Sequence, residues 1–232
     1  DPTLVDRDKI AALAAEGMNR ASIGIQDFDP LVQRAIGRDQ PYEATLACVE
    51  DLRSAGIQSL NADLVYGLPH QNSDRMADTL DKVLSLKPDR IALFGYAHVP
   101  WMKKHQRLIS EDRLPGADER LELAEAARAD LLKAGYRPIG LDHFALPDDS
   151  MAIAEANGTL RRNFQGYTVD GCGTLLGLGA SSISRFENGF SQNTPQTGPY
   201  SKIVRGGELS TARGYELTGE DKLRSRIIEM LM

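Results

Sequence analysis

Cysteine is scarce: Cys48 and Cys172 are the only two in 232 residues, and they lie far apart. That excludes a disulfide framework and any CxxC-type metal motif within these residues, and makes a reducing, cytoplasmic setting the default. Long apolar runs are missing too. No stretch approaches the roughly 20 residues that cross a bilayer, so no membrane association is expected. No run of Lys or Arg exceeds three and the formal net charge is -6, which leaves neither a nucleic-acid footprint nor a polybasic patch. His70, His98, His105 and His143 form no HExxH or other tight ligand spacing, so no histidine metal site is expected. The glycine-rich GCGTLLGLG (171 to 179) fits neither GxGxxG nor a GK[ST] ending, and flexible turns explain it. The opening Asp1-Pro2-Thr3 has neither an initiator methionine nor a signal peptide, so the chain is expected to be a piece of a longer one.

What is present suits a folded domain. With 41% hydrophobic and 26% charged residues, a chain of this length can bury roughly two thirds or more of its unfolded surface. Three helical patterns end at glycine followed by an apolar residue, at Gly17, Gly56 and Gly135, which is the pattern of a glycine C-cap. A strand-like run follows each, at 22 to 25, 61 to 65 and 138 to 141, and another at 90 to 94 follows a helical segment over 73 to 86. Pro41 with Glu43, and Asn72-Ser73-Asp74, are helix-start signals, while Leu121, Ala124, Leu131 and Leu132 suggest an apolar stripe. Helix and strand alternate, which predicts an α/β fold of parallel βα units.

The candidate polar residues fall at equivalent places along that alternation. Gln26 and Asp27 follow the first run, Asp63 and Tyr66 lie near the end of the second, and Tyr96 and His98 follow the one at 90 to 94. The carboxyl ends of parallel strands converge on one mouth, and in barrels of this class the loops there build the active site. A carboxylate accepts two hydroxyl protons and an amide serves either sense, so Gln26 and Asp63 suit a ribose; equally, Asp63 could cap a loop and Gln26 satisfy backbone groups. Arg38 has the fork to grip a carboxylate, or it pairs with a surface acid. Asp142-His143 is either an oriented acid and base or a packed structural pair.

Four segments, GIQDF (24 to 28), DLVYGLP (63 to 69), DHFALPDD (142 to 149) and NFQGYT (163 to 168), make the sequence resemble the oxygen-independent coproporphyrinogen III dehydrogenases of the radical S-adenosylmethionine superfamily. The resemblance covers nearly the whole chain. The first two segments are shared with haem chaperone-like relatives, and the later two are narrower. It implies a partial (βα) barrel of the radical SAM type, with parallel strands and outer helices. It also implies that Gln26 and Asp63 hold the ribose of S-adenosylmethionine, Arg38 its methionyl carboxylate, and Val65 and the backbone at Ala97 its adenine. A second S-adenosylmethionine is implied, bordered by Phe164, Gln165 and Ile183. The family chemistry is removal of a hydrogen from a substrate propionate by a 5′-deoxyadenosyl radical, then loss of carbon dioxide and one electron. Two propionates of coproporphyrinogen III thus become the vinyls of protoporphyrinogen IX in anaerobic haem biosynthesis, with an unidentified electron donor and acceptor. Substrate carboxylates call for arginines near the mouth.

The family's CxxxCxxC motif, whose thiolates hold a [4Fe-4S] cluster, is not among these residues, so the chain alone is expected to be inactive and to bind no metal. Residues 1–205 are expected to form the later part of the catalytic barrel with its following segment, and 206–232 the start of a further helical domain. Thr218-Gly-Glu220-Asp221 opens that last helix as a capping box, and its apolar face lacks a partner in the sequence. A barrel short of its first strands exposes sheet edges, so the fragment is expected to fold poorly alone. The alternative is a haem chaperone-like or haem-acting relative on the same barrel.

Overall fold

Apolar residues recur with period two in the first strands, and that alternation decides which face of the sheet the helices cover. The computed structural model describes residues 2–164 and 166–231, and the chain divides into two compact units, Asp1–Asn157 and Gly158–Met232. The boundary expected after residue 205 falls within the second unit.

The first unit runs α1 (Arg7–Ala15), β1 (Arg20–Gln26), α2 (Pro30–Ala35), α3 (Tyr42–Ser54), β2 (Ser59–Tyr66), α4 (Ser73–Ser85), β3 (Arg90–Gly95), α5 (Ala117–Lys133), β4 (Arg137–Ile139), β5 (His143–Ala145) and α6 (Ser150–Ala156). Its sheet has the order β1-β2-β3-β5-β4. β1, β2 and β3 are parallel, as the alternation predicts. The strand expected at 138 to 141 departs from that pattern: β4 stops at Ile139, and β5 returns antiparallel to both β4 and β3. Gly140, at φ 60, makes the reversal possible by taking a left-handed backbone that a β-carbon would disfavour.

Ile23 and Ile25, Leu60, Ala62 and Leu64, and Ile91 and Leu93 form the buried face of the parallel strands. They join one core with Val49 and Leu52 of α3, Met76, Leu80 and Val83 of α4, and Leu123, Ala127 and Leu131 of α5. Burial of each Val, Leu, Ile or Met side chain among them contributes about 1.5–3 kcal/mol. The stripe on α5 is therefore 123, 127 and 131, an i, i+4, i+8 row; of the residues expected there, Leu131 lies in it, Ala124 is half-buried, and Leu121 and Leu132 are exposed. The opposite face of the strands carries Ser22, Gly24, Asn61, Asp63 and Val65, none of them fully buried. Parallel sheets are ordinarily covered on both faces. A polar second face marks the place for a site.

Asn72 caps α4 by accepting from the Arg75 amide at 2.9 Å, as its position predicts. Gly17, Gly56 and Gly135 have φ of 93, 88 and 94 and end α1, α3 and α5 in the left-handed conformation. A β-carbon on Gly56 would meet nothing within 4 Å. Gly56→Ala is thus a pure backbone test: a loss of about 1 kcal/mol is expected in urea denaturation, from strain alone.

The second unit contains the hairpin β6 (Arg161–Asn163) and β7 (Gly166–Thr168), the strands β8 (Ile183–Phe186) and β9 (Gly189–Asn193), α7 (Thr197–Arg205), β10 (Thr211–Glu216) and α8 (Gly219–Leu231). β10, β9 and β8 make a three-stranded antiparallel sheet. The capping box at the head of α8 forms: the Asp221 amide donates to Thr218 Oγ1 at 3.2 Å, and the Thr218 amide donates to Asp221 Oδ2 at 3.0 Å. Leu223, Ile227, Ile228 and Met230 of α8 are exposed.

Candidate functional site

The carboxyl end of β1 is where the sheet becomes irregular. Gly24 pairs with Asp63 across to β2, and then the register slips so that Gln26 faces Leu64. Gln26 takes φ 70, a left-handed conformation unusual for a residue with a β-carbon. A bulge of this kind re-aims the side chain that follows it, and stored strain of this order concentrates at functional sites. A β-carbon on Gly24 would come within 2.9 Å of Gln26 Nε2 and 3.5 Å of an Arg38 terminal nitrogen. Both side chains therefore converge over Gly24, with Asp63 directly across. Three of the residues expected at the site are brought together here.

Arg38 is held from two sides. Its terminal nitrogen donates to the Gly24 carbonyl, and its Nε donates to Gln40 Oε1 at 2.7 Å. Gln40 is buried and in turn donates to Thr45 Oγ1 at 2.9 Å, so the connection between α2 and α3 fixes the guanidinium. Burial pushes the Arg38 pKa below its ordinary value. Asp63 accepts from Ser22 Oγ at 2.9 Å and from Asn61 Nδ2 at 2.6 Å. Asn61 Oδ1 is buried and accepts nothing among the described residues. Sequence reasoning missed Ser22 and Asn61, although polar residues spaced two apart within apolar strands were the available signal.

Asp27, wholly buried, ties the strand ends together. Its carboxylate accepts from the Asp29 amide at 2.6 Å, Thr79 Oγ1 at 2.8 Å and Gln71 Nε2 at 2.6 Å. Gln71 Nε2 also donates to the Val65 carbonyl at 2.8 Å, so one carboxylate aligns the ends of β1 and β2 with α4. Burial raises the Asp27 pKa above its ordinary value, while the hydrogen bonds from Gln71, Asp29 and Thr79 pull the other way.

Val65 lies two residues beyond Asp63 on the same face of β2. Ala97 follows β3 in an exposed loop, and its carbonyl accepts from Gln106 Nε2 at 3.0 Å. Beside it, Tyr96 Oη and His98 Nδ1 lie 3.1 Å apart, and His98 Nε2 lies 3.1 Å from Glu111 Oε1. His143 is cross-strand to Ala92, which is itself cross-strand to Asp63, so it shares the polar face. Its Nδ1 is 2.6 Å from Asp142 Oδ1, and its ring meets Phe94 edge to face at 5.9 Å.

Phe164 and Ile183 lie in the second unit, where both line a cavity of about 430 Å³. Gln165 lies outside the described residues. Cys48 is buried in α3 and Cys172 is exposed in the second unit. Among the described residues no group of three or more His, Cys, Asp or Glu could hold a metal ion, and no helix is long and apolar enough to cross a membrane.

The sequence matches the radical SAM superfamily model over residues 1–83, a span that contains Gln26, Arg38 and Asp63. It is 62% identical over 232 residues to coproporphyrinogen III oxidase, anaerobic 1, of Cereibacter sphaeroides, and 54% identical to the oxygen-independent coproporphyrinogen III oxidase of Paracoccus denitrificans. Over its whole length the chain is thus similar to oxygen-independent coproporphyrinogen III oxidases. Each of these relatives is matched over 100% of this chain and 51% of its own length, so the chain spans about half the length of the curated relatives it matches. The solved structure of coproporphyrinogen III oxidase (HemN) from Escherichia coli, described as a radical SAM enzyme, superposes with a TM-score of 0.87 at 41% identity, covering 100% of this chain and 53% of that one. The parallel strands with outer helices are thus the fold shared with that solved structure.

Proposed function

We propose that the protein carrying this chain converts two propionates of coproporphyrinogen III to the vinyls of protoporphyrinogen IX by oxidative decarboxylation, in anaerobic haem biosynthesis and in the cytoplasm. The observation that carries the reading is the convergence of Gln26, Arg38 and Asp63 over Gly24 in a chain similar to these oxidases.

The residues fit S-adenosylmethionine, which when bound and reduced supplies one-electron hydrogen abstraction. The donor and acceptor set is right for a ribose beside an amino-acid carboxylate, and the orphaned Asn61 Oδ1 adds an acceptor at the same face. Asp63 accepts the two ribose hydroxyls, exchanging its bonds from Ser22 and Asn61, and Gln26 completes the ribose contacts. Arg38, already oriented by Gln40, takes the methionyl carboxylate as a fork. Val65 packs against the adenine, and the Ala97 backbone meets its edge. Asp27 positions these groups through Gln71 and touches no ligand. A second S-adenosylmethionine would be held beside Phe164 and Ile183, with Gln165, outside the described residues, the third residue that the resemblance assigns to it. The [4Fe-4S] cluster does not fit these residues, because Cys48 and Cys172 are two thiols where such a cluster takes three or four.

The test is an anaerobic assay of the full-length, cluster-reconstituted protein with coproporphyrinogen III and S-adenosylmethionine, following the porphyrin product and 5′-deoxyadenosine together. Protoporphyrinogen with cofactor cleavage is the expected result. Cofactor cleavage or haem binding without that product would move the assignment to the haem chaperone-like or haem-acting relatives.

A further inference from the structure

In the second unit one face of the antiparallel sheet is defined by its register. Arg185 pairs with Phe190 and Phe190 with Tyr215, while Ile183 pairs with Gln192 and Gln192 with Arg213, so these side chains share a face. Phe164, from the turn between β6 and β7, meets Phe190 edge to face at 5.6 Å. That aromatic pair lines two cavities. One, of about 430 Å³, holds Ile183; the other, of about 410 Å³, is lined by Arg162, Arg185, Lys222 and Arg226 against Glu187 and Glu229. Four cations against two carboxylates leave a net positive lining in a chain whose formal charge is -6. Arg162 and Arg185 also line an adjoining cavity of about 130 Å³ with Arg161.

The cations differ in what holds them. Arg226 pairs with Glu229 at 3.0 Å, Lys222 donates to Asn188 Oδ1 at 2.6 Å, and Arg162 lies 5.3 Å from the centre of the Tyr167 ring. Arg185 is half-buried, and its guanidinium makes no hydrogen bond or ion pair among the described residues. A guanidinium drawn partly out of water beside apolar walls loses solvation that an oxyanion would restore, with two parallel hydrogen bonds. The lining also includes Leu217 and Ile228, so the matching ligand carries an apolar body as well as an anionic end.

We propose that this cavity is a subsite for a propionate carboxylate of the tetrapyrrole substrate, gripped by Arg185, with Arg162 and Arg226 flanking it and the Phe164–Phe190 pair against the adjoining pyrrole. The inference rests on the function proposed above and adds the residues that recognise the substrate's charge. It also separates two jobs across one aromatic wall: cofactor on the Ile183 side, substrate carboxylate on the Arg185 side.

The experiment is fluorescence titration of the full-length protein with coproporphyrin III and, separately, with its tetramethyl ester, alongside calorimetric titration with S-adenosylmethionine. For Arg185→Gln, coproporphyrin III is expected to bind at least tenfold more weakly, with ester and S-adenosylmethionine affinities within twofold of wild type. Arg185→Lys should recover part of the loss, since it keeps the charge without the fork. If Arg185→Gln melts early, Arg226→Gln reads the same lining from α8 and should weaken coproporphyrin III binding at least threefold. Equal coproporphyrin III binding by wild type and a folded variant would overturn the subsite while leaving the proposed activity standing. Wild-type protein that binds no coproporphyrin III and makes no protoporphyrinogen would overturn the activity itself, and the subsite with it.

Discussion

In the full-length protein, Asp63→Ala is expected to weaken S-adenosylmethionine binding by roughly a hundredfold to ten-thousandfold. The carboxylate is proposed to accept two hydroxyl protons, each charge-assisted bond being worth about 1.5–3 kcal/mol, and about 1.4 kcal/mol corresponds to a factor of ten. Asp63→Asn keeps one acceptor in place and should lose only about tenfold. The substitution also strands Ser22 Oγ and Asn61 Nδ2, which now donate to Asp63. Neither residue is fully buried, so water replaces the lost partner and the melting temperature should move little. Calorimetric titration beside a thermal melt separates the two effects. A hundredfold loss with an unchanged melt assigns Asp63 to the ligand; a large drop in melting temperature with unchanged affinity would assign it to the fold.

Asp27→Ala should show the opposite balance. Removing this carboxylate leaves the Gln71 amide, the Thr79 hydroxyl and the Asp29 amide without their acceptor in a buried place, and each such loss costs about 1–3 kcal/mol. Relief from burying a charge offsets part of that, so a net loss of about 3 kcal/mol is expected. The pH dependence has a definite sign. Burial raises the Asp27 pKa in the folded protein above its ordinary value of 3.8. A carboxyl group raised in this way contributes stability fully below the unfolded value and loses it as pH rises through the folded one. The deficit of the variant relative to wild type should therefore be greatest at low pH and shrink above the folded pKa. Thermal melts at a series of pH values measure it, and a deficit that grew with pH would contradict a pKa raised by burial.

The parts of this architecture legible in the sequence are those whose signals are local. Gly17, Gly56 and Gly135 end helices because a left-handed cap needs no distant partner, and Asn72 caps α4 for the same reason. The approach of Gln26 to Asp63 was legible from strand order, since parallel strands bring their carboxyl ends together, whereas Arg38 lies in the α2–α3 connection and its place beside them follows from no local signal. The reversal at β5 was not: strands of three residues carry almost no periodicity, and their pairing is decided by contacts distant in the chain. The stripe on α5 shifted from Leu121 to Leu123 because two leucines two apart fit the helical period equally well, and only the sheet beneath chooses between them. Asp27 reads as a loop acid beside Gln26, and its role appears only once Gln71 and Thr79, distant in sequence, converge on it.

Among the described residues β1 lies at the edge of its sheet, with β2 on one flank and no strand of the sheet on the other. Gln26 is its last residue, and the bulge that aims Gln26 at the site interrupts the ladder that pairs the strand with β2. Any segment that pairs with the outer flank would restrict the same backbone that a ligand at Gln26 must hold still. The two events are then thermodynamically coupled, and the coupling is reciprocal: whatever factor flank pairing adds to ligand affinity, the ligand returns in full to the pairing.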